Sequence, residues 1–135
     1  MSPEFPNGGK RYFGDFFEPN RDFRGEKGNL YEGGLRIPMI VRWPGRIKPG
    51  AVSDFLWYFP DVMPTLAELA GVKPPENIDG ISIVPTLLGE DVAGRRQQKH
   101  EFLYWEHLQQ VAVRMGDYKA IQPAKNKPFE LYDLS

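Results

Sequence analysis

The apolar residues of the first hundred positions predict one strand and two short helices. Residues 35–43 (LRIPMIVRW) form a nearly continuous apolar run with β-branched side chains, which predicts a buried strand. A helix is predicted after Asp61, which is placed to cap it, and Gly71 is placed to end it. Residues 82–88 predict a short apolar turn or helix.

The remaining residues show the pattern of short strands. Strands are predicted over residues 102–106, 110–114, 118–122 and 129–134. Gly116 and Asp117 between the second and third strands predict a tight hairpin. Arg114 could contact substrate or brace this hairpin, and we favour the bracing role. The fold class predicted is therefore α/β, with a small antiparallel sheet of three to four strands and one or two helices.

Two polar stretches predict loops. Residues 7–34 are rich in Gly, Asn, Asp and aromatic residues without a period, and loops of this length are usually functional or disordered. Residues 90–100 (EDVAGRRQQKH) predict an exposed loop, in which we expect His100 to face solvent. Residues 1–6 (MSPEFP) lack the basic start and apolar centre of a signal peptide, and we interpret them as vector-derived.

The composition narrows the class of protein. A chain of 135 residues with 41% hydrophobic residues can form one small domain or part of a larger one. The net charge of -1 indicates no nucleic-acid partner and no membrane-surface partner, and no apolar run is long enough to span a bilayer. The chain has no cysteine, which excludes disulfides, thiolate metal ligands and cysteine nucleophiles from these residues.

The stretch over residues 25–38 (GEKGNLYEGGLRIP) holds the candidate chemistry. Lys27 lies between two glycine-bearing turns, and its ammonium group is a compact charge suited to a sulfate or phosphate oxygen. Gly33 and Gly34 allow the backbone to turn sharply into the predicted strand, and Glu32 and Arg36 could pair and hold that turn. A lysine between glycines is more often a solvated surface residue, so spacing alone favours that alternative.

The motifs taken together resemble those of type I sulfatases, the arylsulfatase family of the alkaline-phosphatase-like superfamily. The segment KGNLYEGGLRIP, followed by WPG, is similar to the second signature region of that family. Four further segments follow in the family's order: residues 59–66 (FPDVMPTL), 79–82 (DGIS), 112–119 (AVRMGDYK) and 130–134 (ELYDL). The resemblance covers residues 7–135.

This resemblance implies the C-terminal part of an alkaline-phosphatase-like sulfatase fold. Residues 7–90 would form the end of the main domain, with an active-site loop, a strand and a helix, and residues 91–135 a C-terminal antiparallel subdomain. Catalysis in the family uses a formylglycine made from Cys or Ser in a C/S-x-P-x-R motif, and a divalent cation that is usually calcium. Because that motif is missing from these residues, we expect the isolated chain to be inactive.

The resemblance also assigns candidate roles to three residues. Lys27 matches the family lysine that binds the sulfate and stabilises charge on the leaving oxygen, which makes it the catalytic and substrate-binding candidate. Asn7 stands where the family has the second member of a metal-binding pair, but the first member is Pro6 here, and a turn asparagine is the alternative. His107, at a predicted strand end, is a weaker substrate-binding candidate, with a structural or solvated role as the alternative.

The implied function is hydrolysis of a sulfate ester, with a sulfated carbohydrate or an aryl sulfate as the substrate. Two alternatives stay open: a related phosphate or phosphonate ester hydrolase, and a non-catalytic binding module. The longer protein is expected in a periplasmic, secreted or lysosome-like compartment. We name the loop over residues 7–34 the front loop. The isolated chain should expose apolar surface near the front loop and near residues 39–43, and such surface promotes self-association.

Overall fold

The computed structural model describes residue 20 and residues 22–135. The chain divides into two compact units. The first contains the described residues up to Ile37 together with Tyr104–Val113 and Asp117–Ser135, and the second contains Pro38–Leu103 and Arg114–Gly116. The boundary expected after residue 90, between the end of a main domain and a C-terminal subdomain, stays a prediction.

A four-stranded sheet lies in the C-terminal third of the chain. Its strands, in spatial order, are β1 (Leu103–His107), β2 (Gln110–Met115), β3 (Tyr118–Gln122) and β4 (Glu130–Asp133). Two residues join β1 to β2 and two join β2 to β3, and connections so short link only antiparallel strands. Strands β3 and β4 are also antiparallel, with Ala120 opposite Leu131. The predicted sheet is confirmed, and each strand end lies within one residue of its expected position.

The turn between β2 and β3 has the chemistry that its sequence predicts. Gly116 has a φ of 58°, a left-handed conformation that glycine adopts without strain. Arg114 Nε donates to the Gly116 carbonyl oxygen at 2.9 Å, which confirms that Arg114 braces the hairpin. The turn between β1 and β2 uses Leu108 with a φ of 55°, although this conformation costs a residue with a Cβ about 1–2 kcal/mol.

The front loop and the sheet share one small hydrophobic core. Its buried members are Leu30 from the loop, Ala112 from β2 and Ile121 from β3. The apolar side chains that pack around them are Tyr31, Leu35, Trp105 and Tyr132. Because Leu30 is only 5% exposed, the segment that carries the candidate chemistry is part of the folded core.

Short helices occur in both units of the described chain. Helix α1 (Glu32–Leu35) lies in the first unit, and a 3-10 helix (Phe59–Asp61), α2 (Val62–Leu69), α3 (Val84–Leu88) and α4 (Glu90–Ala93) lie in the second. The helices predicted after Asp61 and over residues 82–88 are confirmed, whereas α1 and α4 were not expected. None of the described helices has the length and apolar character needed to cross a bilayer.

The predicted end of α2 is also confirmed. Gly71 has a φ of 69°, and its N–H donates to the Glu68 carbonyl oxygen at 3.0 Å. The N–H of Val72 donates to the Ala67 carbonyl oxygen at 2.9 Å. These bonds satisfy carbonyl groups that the last turn would otherwise leave without a partner.

The strand predicted over residues 35–43 is wrong. Leu35 ends α1, and residues 36–43 form no strand in the structure. A strand requires a neighbour that pairs with its backbone N–H and C=O groups, and within the described residues this run has none. The exposure expected for residues 39–43 is confirmed, with Ile40 95% exposed.

Candidate active-site loop

The candidate chemistry lies in residues 25–31, named here the lysine loop. Lys27 is exposed at a turn that is closed by a bond from the Asn29 N–H to the Glu26 carbonyl oxygen at 3.1 Å. Gly28 has a φ of 98°, which favours glycine directly after the lysine. Among the described residues no carboxylate forms an ion pair with the Lys27 ammonium group, which lies on an exposed side chain.

The lysine loop lies directly against helix α1. A Cβ atom added at Gly34 would overlap the backbone carbonyl oxygens of Asn29 and Glu26. The N–H of Gly33 donates to the Arg24 carbonyl oxygen at 2.9 Å. Two backbone segments approach this closely only where the side chain is absent, so the glycine pair makes the sharp turn possible, as the sequence predicted.

Glu32 joins helix α1 to the sheet. Its carboxylate accepts hydrogen bonds from Arg36 Nε at 2.7 Å, as predicted, and from Lys119 Nζ at 2.7 Å. Lys119 is 2% exposed, and its Nζ lies 5.6 Å from the centre of the Trp105 ring. Burial opposes ionisation of Glu32, but the hydrogen bonds from Lys119 and Arg36 outweigh it, and the pKa of the carboxyl is lowered.

Sequence reasoning assigned no role to Lys119. It lies on β3 two residues before the buried Ile121, so both side chains point to the same face of the sheet. A lysine at an inward position of a strand requires a buried acidic partner, because an uncompensated buried charge is strongly unfavourable. The alternation of inward and outward residues along β3 was the sequence signal that Lys119 has a buried acidic partner.

Strand β4 holds the other side of the lysine loop. The Tyr31 hydroxyl donates to Glu130 Oε2 at 3.1 Å, and Arg24 Nη1 lies 2.8 Å from the same oxygen. Tyr132 donates to the Glu130 carboxylate as well. The hydrogen bond from Tyr132, followed by those from Tyr31 and Arg24, lowers the pKa of Glu130 despite some desolvation. The ELYDL motif therefore contributes a carboxylate that anchors Arg24 and Tyr31.

Gln110, the first residue of β2, contacts the lysine loop itself. Its Oε1 accepts a hydrogen bond from the Leu30 N–H at 3.1 Å, and its Nε2 donates to the Gly28 carbonyl oxygen at 3.4 Å. The side-chain amide therefore bonds to two main-chain groups just after Lys27. Sequence reasoning assigned no role to Gln110, because nothing local to β2 indicates a partner 80 residues earlier.

Of the two other predicted site residues, only His107 lies within the described residues. His107 is exposed at the end of β1 and forms no hydrogen bond to that loop among the described residues, so its substrate-binding role stays a prediction. Asn7 lies outside the described residues, and its role as a metal ligand stays a prediction too. Within residue 20 and residues 22–135, no three His, Cys, Asp or Glu side chains are grouped to hold a metal ion.

A separate polar cluster, named here the Asp61 cluster, lies in the second unit and contradicts two expectations. Asp61 is fully buried, and instead of capping α2 its carboxylate accepts from the Tyr58 N–H at 3.0 Å and the Ile81 N–H at 2.8 Å. His100 Nε2 lies 2.8 Å from Asp61 Oδ1, and the His100 side chain is 9% exposed. The expectation that His100 faces solvent is therefore wrong, because a buried carboxylate needs several donors.

This cluster explains why two of the sequence motifs occur together. Thr65 Oγ1 donates to the Asp61 carbonyl oxygen at 2.6 Å and accepts from the Ile83 N–H at 3.0 Å. A Cβ atom at Gly80 would overlap the Pro60 carbonyl oxygen, so the DGIS turn lies directly on the start of the helical segment. The FPDVMPTL and DGIS motifs thus hold each other in place by packing and hydrogen bonds.

Comparison with known proteins identifies the family. The family model described as "N-sulphoglucosamine sulphohydrolase, C-terminal" matches residues 24–135. The chain belongs to this sulfatase family. The matched residues include the lysine loop, the Asp61 cluster and the whole sheet. The resemblance inferred from the ordered motifs is therefore confirmed.

Individual sulfatases are also similar to the chain. Steryl-sulfatase of Mus musculus is 44% identical over 87 residues, covering 63% of this chain and 13% of that protein. Arylsulfatase A of Homo sapiens is 40% identical over 99 residues, covering 70% of this chain and 19% of that protein. An ulvan-active sulfatase of Formosa agariphila is 51% identical over 59 residues, covering 44% of this chain and 12% of that protein. The chain thus spans between about an eighth and a fifth of the length of these relatives.

Proposed function

We propose that the chain supplies the sulfate-binding lysine of a longer enzyme, the parent sulfatase, which hydrolyses sulfate esters. The observation that carries this proposal is the exposed ammonium group of Lys27 on a loop fixed by the sheet, in a chain that belongs to a sulfatase family. A fixed cation stabilises an anion that develops in the transition state, because it requires little reorganisation during the reaction.

The proposed chemistry divides between this chain and the rest of the parent sulfatase. Lys27 would bind a sulfate oxygen and stabilise negative charge on the leaving oxygen when the sulfur–oxygen bond breaks. We propose that the formylglycine nucleophile comes from another part of the parent, and that Asn7 contributes to a calcium site. A bound calcium ion would polarise the sulfate oxygens.

We propose a sulfated carbohydrate as the substrate, with an aryl sulfate as the second substrate class. Two relatives have names that specify carbohydrates: the ulvan-active sulfatase, and N-acetylgalactosamine-6-sulfatase of Canis lupus familiaris, which is 38% identical over 103 residues. The steryl-sulfatase name specifies a different kind of alcohol. The shared chemistry is the sulfate ester, which is the group that Lys27 would contact.

The test is turnover of an aryl sulfate and of sulfated sugars by the parent sulfatase and its Lys27→Ala variant. We expect the substitution to lower turnover by about 10²–10³-fold, the effect typical of removing one group that stabilises a developing anion. Lys48→Ala is the matched control, since Lys48 is also exposed and begins a turn closed by a bond from the Ala51 N–H to the Lys48 carbonyl oxygen at 3.3 Å. Near-normal turnover by Lys27→Ala would contradict the role of Lys27, and faster turnover of an aryl phosphate by the wild type would favour a phosphate ester hydrolase.

A further inference from the structure

The ends of the lysine loop and its tip are held by different groups. Glu32 and Tyr31 fix the C-terminal end to β3 and β4, and the Gly33 N–H fixes the start through Arg24. Gln110 instead bonds to the main chain at Gly28 and Leu30, next to the lysine. It is therefore the side chain best placed to determine where the lysine backbone lies.

The position of the Lys27 backbone decides where the ammonium group can reach. The Lys27 side chain is long and exposed, so its own packing does not orient it. Leu30 is 5% exposed, and its N–H needs a hydrogen-bond partner that Gln110 Oε1 supplies. Loss of Gln110 would remove the acceptor of the buried Leu30 N–H, and the loop would have to move for that N–H to reach another partner, whereas the exposed Gly28 carbonyl can bond to water.

From these contacts we infer that Gln110 is a positioning residue for Lys27, acting on sulfate ester hydrolysis by holding the lysine loop in its productive conformation. This inference rests on the proposed function. Gln110 bonds to the main chain on the C-terminal side of Lys27, so we expect its effect on the reaction to pass through the position of Lys27.

The chain contains a matched control for Gln110. Gln122 is also half-buried on a strand, and its Nε2 donates to the backbone carbonyl oxygens of Lys125 at 3.3 Å and Lys127 at 3.0 Å. The substitution Gln→Met keeps the length of either side chain and removes its polar atoms. Gln110→Met and Gln122→Met therefore remove comparable bonds, but only the first pair of bonds holds the lysine loop.

The first experiment is a double-mutant cycle in the parent sulfatase, measured as kcat and KM on a sulfate ester. We expect Gln110→Met to lower kcat/KM by about 10- to 100-fold, because a displacement of about 1 Å in a catalytic group has an effect of this size. Gln122→Met should change kcat/KM by less than about 2-fold, because the bonds from Gln122 to Lys125 and Lys127 do not hold the lysine loop. In the Lys27→Ala background, Gln110→Met should have no further effect. An equal loss in both backgrounds would overturn the inference, since a general structural defect acts whether or not the lysine is present.

The second experiment separates this inference from the proposed function. Amide hydrogen exchange of the parent protein reports on the lysine loop without any substrate. Exchange at residues 27–31 should accelerate in Gln110→Met and stay at the wild-type rate in Gln122→Met. Unchanged exchange in Gln110→Met overturns the positioning role whatever the activity. If the wild-type protein hydrolysed no sulfate ester, the proposed function would be refuted. Faster exchange of the loop in Gln110→Met would then still support the role of Gln110 in holding the lysine loop.

Discussion

Lys119 Nζ lies 2.7 Å from Glu32 Oε1, although the two residues are 87 positions apart in the chain. The Lys119 side chain is 2% exposed and the Glu32 side chain 14% exposed, so the pair is largely removed from water. Glu32 follows the lysine loop directly, and Lys119 belongs to β3. One buried ion pair therefore connects the segment that carries Lys27 with the C-terminal sheet.

Removal of Lys119 should destabilise the protein strongly. Lys119→Met removes one partner of the largely buried ion pair with the Glu32 carboxylate, and breaking a buried ion pair typically costs about 3–5 kcal/mol. Lys73→Met is the control, because Lys73 pairs with Glu76 at 2.6 Å with both side chains more than 70% exposed. Pairs of that kind contribute less than about 1 kcal/mol. Urea denaturation followed by tryptophan fluorescence measures both, and equal effects would contradict the importance of burial.

The same pair should make the stability of the protein depend on pH in the acidic range. The pKa of Glu32 is lowered from 4.5 in the folded state, so its contribution is fully present above about pH 4.5 and is lost as the pH falls through the folded-state pKa. Glu32→Gln should be less stable than wild type near neutral pH and lose less stability on acidification. Thermal midpoints measured from pH 7 downwards check this.

Glu76→Gln is the control for that pH series, because the ion pair of Glu76 is exposed to solvent. Its midpoints should follow those of the wild type at every pH. Parallel curves for wild type and Glu32→Gln would show that Glu32 does not contribute to the acid sensitivity.

Asp61→Ala should destabilise the second unit. The substitution removes the acceptor of the Tyr58 and Ile81 N–H groups and the partner of His100. Each buried donor left without an acceptor costs about 1–3 kcal/mol. Asp91→Ala, on the exposed side of α4, is the control and should change stability by less than about 0.5 kcal/mol. Equal urea midpoints for the two variants would contradict a structural role for the Asp61 cluster.

The isolated chain should self-associate through its exposed apolar segment. Ile40 is 95% exposed within residues 39–43, and contiguous apolar surface of this kind promotes association. Ile40→Lys should shift the chain towards the monomer in sedimentation velocity. Val92→Lys adds the same charge at a side chain that is 64% exposed on α4, and should have little effect. A monomeric wild-type chain would show that this surface is too small to associate.

The local pattern of residues was sufficient for most of the secondary structure. Each strand of the sheet was predicted to within one residue, because each has an extended apolar pattern and a turn residue such as Gly116 at its end. Helix α2 was predicted from the residues at its two ends, and Gly71 ends it as expected. The strand prediction for residues 35–43 was wrong because apolar, β-branched residues form a strand only when another strand is available to pair with them.

The candidate site likewise has features that the sequence predicts and features that only the folded structure shows. The sequence by itself determined the ordered motifs, and with them the family and the position of Lys27 on a glycine-bounded loop. Only the tertiary structure decided which residues hold that loop: Gln110 and Lys119 lie 80 or more positions away from their partners. It likewise decided that His100 is enclosed against Asp61 rather than solvated. The physical reason is that hydrogen bonds and ion pairs form between groups that folding brings together, and no local pattern of residue types records that proximity.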